Sequence, residues 1–130
     1  MSNENPFNIL KSDTPEVKKR EAVKESDKTG ELKERIERLI NSAPIFLFMK
    51  GQPDFPQCGF SSNVIGLLDN LGIEYKTFDI LSDMDIRQGV KDYANWPTYP
   101  QLWFKGQLLG GNDIISEMFH SGELEKMLKA

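Results

Sequence analysis

The sequence predicts a small α/β domain, a mixed sheet with helices on both of its faces. Three observations predict it. The apolar run Ile45-Phe46-Leu47-Phe48-Met49 is followed by a helical pattern and then by an alternating segment, a β-α-β start. Two short strand-like segments flank Lys105-Gly106, as in a hairpin. Two helical patterns then close the chain.

Each element has its own justification. Residues 1–30 come first and differ from the rest: they hold Pro6, Pro15, a single aromatic residue (Phe7), six acids and six bases. That composition predicts a solvated, mostly disordered extension. A transit peptide is the sharper reading, but six acids oppose it, and the apolar stretch of a secretory signal is missing. From Glu31, Leu32, Ile36, Leu39 and Ile40 recur at helical spacing, and 41–44 ends that helix. Ile45–Met49 reads as a strand buried on both faces. Residues 51–57 read as a loop with two prolines. Residues 61–71 form a helix whose Val64, Ile65, Leu67, Leu68 and Leu71 face the core, and Gly72 caps it. Residues 74–80 alternate like a strand, and 83–93 form a helix with Asp85 in its first turn. Gln101–Phe104 and 107–109 pair across the Lys105-Gly106 turn. Residues 112–119 and 122–128 are the closing helices. The chain shows no internal repeat.

Composition narrows the function. The chain has 130 residues and is 38% hydrophobic, enough for one domain with a core. Its formal net charge of -4 gives nucleic-acid binding no electrostatic support. All of that charge falls after residue 30. No stretch approaches membrane-spanning length. A single cysteine excludes an internal disulfide and suits a reducing compartment. The cytoplasm is the expected location, with the mitochondrial matrix as the alternative.

That cysteine, Cys58, stands in Gln57-Cys58-Gly59-Phe60-Ser61, after a strand and a loop and at the start of a helix. Unpaired N–H groups and the dipole at a helix start favour a thiolate and lower the thiol pKa. Gly59 permits close approach. Ser61 stands where a redox motif with two cysteines would carry the second, and a hydroxyl cannot resolve a mixed disulfide. Two roles remain: exchange with an external thiol, or ligation of a soft metal centre. A buried inert cysteine is opposed by its flanks, since Pro56, Gln57, Gly59 and Ser61 are not core residue types. Lys50 and Arg87 supply cations, and Thr98-Tyr99-Pro100 enters a strand through a proline that must be an edge, an entry residue or a cis turn. Gly110-Gly111-Asn112-Asp113 offers N–H groups at a helix start, an anion-binding feature. Alone, the two cations read as surface charges, and Trp96 and Trp103 read as packing residues. His120, the single histidine, reads as an exposed helix residue.

In order along residues 31–130, Phe48-Met49-Lys50-Gly51, Pro53, Pro56, Cys58-Gly59-Phe60-Ser61, Asp85-Ile86-Arg87, Trp96-Pro97-Thr98-Tyr99-Pro100-Gln101-Leu102 and Gly110-Gly111-Asn112-Asp113 resemble the monothiol glutaredoxins of the Cys-Gly-Phe-Ser type. The resemblance implies a thioredoxin fold with a small four-stranded mixed sheet and a cis Pro100 facing Cys58. It implies bound glutathione, with Lys50 and Arg87 on its glycine carboxylate and the Tyr99 backbone on its cysteinyl part. The N–H groups near Gly111 and Asn112 would take the γ-glutamyl carboxylate, Asp113 the ammonium, and Phe60 would shield the thiol side.

It also implies a [2Fe–2S] cluster, which needs four thiolates. Cys58 from each chain of a homodimer and two glutathiones would supply them. A BolA-like partner and apo iron–sulfur acceptor proteins go with that role. Lys50 precedes Cys58 by eight positions, whereas in dithiol glutaredoxins the matching lysine stands much closer to the cysteine. The long loop resembles that of the cluster-carrying class. Two departures stand out: Asn112 replaces a cysteine found in many relatives, and Gln52 replaces a small hydroxyl residue. The resemblance thus implies an iron–sulfur carrier, with glutathione-dependent thiol exchange as the alternative and an inert thioredoxin-like module as the third reading.

Overall fold

The structure, a computed structural model, describes residues 25–130, with side chains from residue 30. The extension expected at 1–30 therefore lies outside the described residues up to residue 24. Helix α1 runs Glu25–Ile40, beginning ahead of the periodic pattern that starts at Glu31. Residues 25–30 carry no apolar stripe, and periodicity cannot detect helix without one. Strand β1 follows at Ile45–Met49. Where a plain loop was expected, a small hairpin forms from β2 (Gly51–Gln52) and β3 (Phe55–Pro56). Strands of two residues leave no alternation to read, and Pro56 argues against a strand by type.

Helix α2 spans Gly59–Leu71, and Gly72 caps it in the left-handed conformation with φ 71°. Strand β4 is Lys76–Asp79 and helix α3 is Met84–Ala94. Strands β5 (Gln101–Phe104) and β6 (Gln107–Gly110) form the expected hairpin. Lys105 and Gly106 both have positive φ, the turn geometry that matches strand twist. Helices α4 (Asn112–Ser121) and α5 (Glu123–Leu128) end the chain.

The main sheet has the order β4-β1-β5-β6. β1 runs parallel to β4 and antiparallel to β5, so Phe48 lies opposite Phe78 on one side and Gln101 on the other. Alternation along β1 feeds two cores. Ile45, Leu47 and Met49 pack with Val64, Ile65 and Leu68 of α2 and with Ile115, Leu124 and Leu128 of α4 and α5. Phe46 and Phe48 pack with Ile36 and Ile40 of α1, Ile86 and Val90 of α3, and Trp103. A strand buried on both faces has no polar positions, which is why its sequence is continuously apolar.

This topology gathers loops at one sheet end. β1 and β6 leave the sheet where β5 enters it. Lys50, Pro100 and Gly111 therefore start out as neighbours in the fold, although they lie far apart in sequence. This is the thioredoxin fold expected from the sequence.

Candidate ligand cleft and thiol site

Lys50 connects β1 to Gly51, the first residue of the small hairpin, and three hydrogen bonds tie their backbone. The Lys50 N–H donates to Ser61 Oγ at 3.1 Å, and the Gly51 N–H donates to Asp79 Oδ1 at 2.9 Å. The Gln57 N–H donates to the Lys50 carbonyl at 2.8 Å. Gly51 has φ 93°, and a Cβ there would meet the Phe55 carbonyl oxygen and Gln57 nitrogen at 2.7 Å. Only glycine fits.

Ser61 corrects an expectation. Its type suggested a residue outside the core, yet it is fully buried. Its hydroxyl faces inward from the first turn of α2, where it accepts the Lys50 N–H. A buried hydroxyl is tolerated because it is hydrogen-bonded. Ser61 thus fastens the helix that carries the thiol to the loop that carries the lysine.

Cys58 is the N-cap residue of α2, in extended conformation and partly exposed. Its side chain closes no capping hydrogen bond. Partial burial pushes the thiol up, but the N–H groups of Ser61 and Phe60, the Lys50 ammonium and the Ser61 hydroxyl together outweigh burial. The net result is a thiol below its ordinary pKa.

Beside this helix end lies a cleft of ≈ 420 Å³. Its lining unites Lys50, Phe60, Arg87, Tyr99, Gly111, Asn112 and Asp113, all seven expected ligand-binding residues. Cys58 itself is not in the lining; it stands two residues before Phe60, at the rim. Phe60 is exposed. Tyr99 is buried, and its hydroxyl donates to the Arg87 carbonyl at 2.7 Å, so the 96–100 loop is braced against α3. Burial raises the Tyr99 phenol, which keeps it a donor. The Tyr99-Pro100 peptide is cis, as expected.

Gly111 is the N-cap of α4, and no side chain caps that helix. A Cβ on Gly111 would lie 3.3 Å from the Pro100 carbonyl oxygen and 3.4 Å from Trp96 Nε1. The α4 start is therefore packed directly on the loop before β5. Asn112 accepts from Asn63 Nδ2 of α2 at 2.7 Å, and Asn63 also reaches Ser116 at 2.9 Å. Asn112 thus joins α4 to the thiol-bearing helix.

The cleft also holds residues that the sequence reading did not assign to a ligand. Lys91 lines the cleft, one turn beyond Arg87 on α3, and this spacing was a usable signal. Trp96 lines the cleft as well, rather than only packing as expected, and its Nε1 is buried without a hydrogen-bond partner. Pro97, Thr98 and Ile114 complete the wall. Trp103 does pack in the core, and His120 is exposed as expected. Chemically, the cleft offers three cations, one carboxylate and an uncapped helix start, next to a thiol biased toward its anion. These groups suit an anionic, peptide-like thiol ligand.

Comparison with known proteins agrees with this geometry. The glutaredoxin family profile matches residues 45–109. Monothiol glutaredoxin-S11 of Oryza sativa is 54% identical over 98 residues, which is 75% of this chain and 20% of that protein. The chain therefore spans about a fifth of that relative's length. An uncharacterized monothiol glutaredoxin of Synechocystis is 48% identical over 99 residues, covering 76% of this chain and 92% of the relative. The solution structure of reduced apo GrxS14 from poplar is similar with TM-score 0.67 and 43% identity, over 75% of this chain and 90% of that one. A buckwheat glutaredoxin–glutathione complex is similar with TM-score 0.70 and 27% identity, over 82% and 94%. With its fold, its cleft and these relatives in agreement, the chain belongs to the glutaredoxin family.

Proposed function

We propose that this protein is a monothiol glutaredoxin of the Cys-Gly-Phe-Ser type. It binds glutathione in the cleft and shares a [2Fe–2S] cluster with a second copy, delivering it in iron–sulfur assembly and iron homeostasis. The observation that carries the reading is the pairing of a thiolate-biased Cys58 with a cationic cleft ending at an uncapped helix. The similar buckwheat protein is described as a complex with glutathione, which supports the ligand.

The donor set fits this cargo. Among the described residues, no group of three or more His, Cys, Asp or Glu side chains could hold a metal ion. As the resemblance to the Cys-Gly-Phe-Ser glutaredoxins implies, a [2Fe–2S] cluster would take one thiolate, Cys58, from each of two chains and the remaining two from glutathione. Lys50 and Arg87 would hold the glycine carboxylate, and the Tyr99 backbone the cysteinyl part. The α4 start at Gly111 and Asn112 would take the γ-glutamyl carboxylate, and Asp113 the ammonium. Phe60 would cover the thiol side. Apo iron–sulfur acceptor proteins would receive the cargo and a BolA-like protein would be a further partner, in a reducing compartment that we take to be the cytoplasm.

A second reading rests on the lowered Cys58 pKa. The Cys58 thiolate would attack the glutathione sulfur of a protein–glutathione disulfide, releasing the protein thiolate. A second glutathione thiolate would then attack that bound sulfur, leaving as glutathione disulfide and restoring Cys58.

Anaerobic reconstitution with iron, sulfide and glutathione decides between them. Charge-transfer absorption that requires glutathione, with one [2Fe–2S] per two chains, supports the carrier. A colourless monomer that steadily reduces a glutathionylated substrate establishes the exchange reading instead.

A further inference from the structure

Gln101 is fully buried at the start of β5, between apolar neighbours, and has no place in the ligand assignment above. A buried amide must be hydrogen-bonded or it destabilises the fold. Its partners are specific. Nε2 donates to the carbonyls of Trp96 and Thr98, both at 3.2 Å, and Oε1 accepts from Trp103 Nε1 at 3.2 Å. Both amide hydrogens and the amide oxygen are thereby used. Trp103 belongs to the core beneath the sheet, whereas Trp96 and Thr98 line the cleft. One side chain therefore connects core to cleft wall.

We propose that Gln101 is a positioning residue for the ligand cleft. It holds the 96–98 backbone in the shape that presents Tyr99 to a peptide-like ligand. The loop is then fixed at both ends, by Gln101 on two carbonyls and by the Tyr99 hydroxyl on the Arg87 carbonyl. This inference rests on the reading of the cleft as a glutathione site.

Q101E tests it. The carboxylate keeps an acceptor for the Trp103 indole and loses both donors to the loop. Reduced glutathione, titrated calorimetrically, is expected to bind roughly tenfold more weakly at pH 7.5. Burial raises the pKa of the introduced carboxyl, so acidification supplies an O–H donor and restores part of the affinity. Wild type should show no such gain. The chain has two tryptophans, so the indole N–H resonances offer a ligand-free readout: Q101E should shift the Trp96 signal, and W103F should leave it in place. Glutathione affinity within twofold of wild type and an unmoved Trp96 resonance would overturn the proposal. If wild type binds no glutathione, the ligand assignment fails, and the ligand-free Trp96 comparison alone then decides whether Gln101 positions the loop.

Discussion

The helix starts of α2, α3 and α4 are built in two ways. Asp83 caps α3, accepting from the Asp85 and Ile86 N–H groups at 3.0 and 3.1 Å, and Arg35 of α1 pairs with its other oxygen at 2.8 Å. That terminus satisfies itself. The starts of α2 and α4, at Cys58 and Gly111, have no side-chain cap. Both flank the cleft. Leaving a helix start uncapped forgoes roughly 1 kcal/mol; at α2 the Phe60 and Ser61 N–H groups favour the Cys58 thiolate instead, and at α4 a ligand carboxylate would supply the acceptor. Of these three starts, only that of α3 is closed by its own side chain.

The largest expected effect breaks this contrast at α2. Cys58→Ser should abolish cluster retention in the reconstitution assay, because it removes the sole protein thiolate per chain, while the thermal midpoint stays near wild type. A cluster retained at full stoichiometry would contradict the ligand assignment. Ser61→Ala should come next. It leaves the Lys50 N–H without its buried acceptor and removes a donor that favours the Cys58 thiolate. Urea unfolding should show a loss of about 1–2 kcal/mol. The pH midpoint of iodoacetamide alkylation should move upward. The sign follows from the lowered thiol: in wild type the reactive anion persists to lower pH than in the unfolded chain, and alkylation is lost as pH falls through the folded pKa. An unmoved midpoint would remove Ser61 from the thiolate environment.

These residues also show what was legible in the sequence. The helices α2 and α3 were readable because burial on one face leaves a period in hydrophobicity, Ile45–Met49 because burial on both faces leaves a short continuous apolar run, and the β5–β6 hairpin because Lys105-Gly106 marks its turn. The β2–β3 hairpin was not, since it is held by Gly51 φ and backbone ties rather than by a pattern. The seven cleft residues were named from their motifs, because no local period links Lys50 to Asp113 across the topology. Ser61 was misjudged by type: polarity suggested the surface, but its single oxygen meets the Lys50 N–H inside. Gln101 was misjudged by omission, because a buried polar residue looks like any other strand residue until its partners are known.

Two cations of the cleft, Arg87 and Lys91, sharpen the comparison at α3. Arg87→Ala should weaken glutathione binding by roughly tenfold or more, as expected for loss of a charge-assisted contact. Lys91→Ala should cost only about two- to fivefold, because a partly exposed ion pair is screened. Raising salt should narrow the difference between Lys91→Ala and wild type. Equal losses for the two variants at every salt concentration would show that Lys91 shares the carboxylate contact rather than adding to it at longer range.

The smallest expected effect on the ligand lies at the self-capped helix, and it is the control that gives the contrast its meaning. The Asp83 carboxyl is held below the usual range, first by its hydrogen bond from Arg35 and then by the Ile86 N–H. Its contribution is therefore present above the pKa of an ordinary carboxyl and is lost as pH falls through the lower folded value. Asp83→Asn keeps an acceptor for the α3 N–H groups and loses the charge paired with Arg35; Asp83→Ala loses both. Chemical unfolding at pH 7 should rank Asp83→Ala as the less stable, by about 1 kcal/mol, with Asp83→Asn closer to wild type. Lowering the pH toward 3 should bring Asp83→Asn and wild type together. Glutathione affinity should stay within twofold of wild type in both, since no ligand group replaces this cap. A large affinity loss in Asp83→Asn would mean that the α3 start, through Arg87 one turn on, is part of the binding apparatus, and the division between self-capped and ligand-capped helices would not hold.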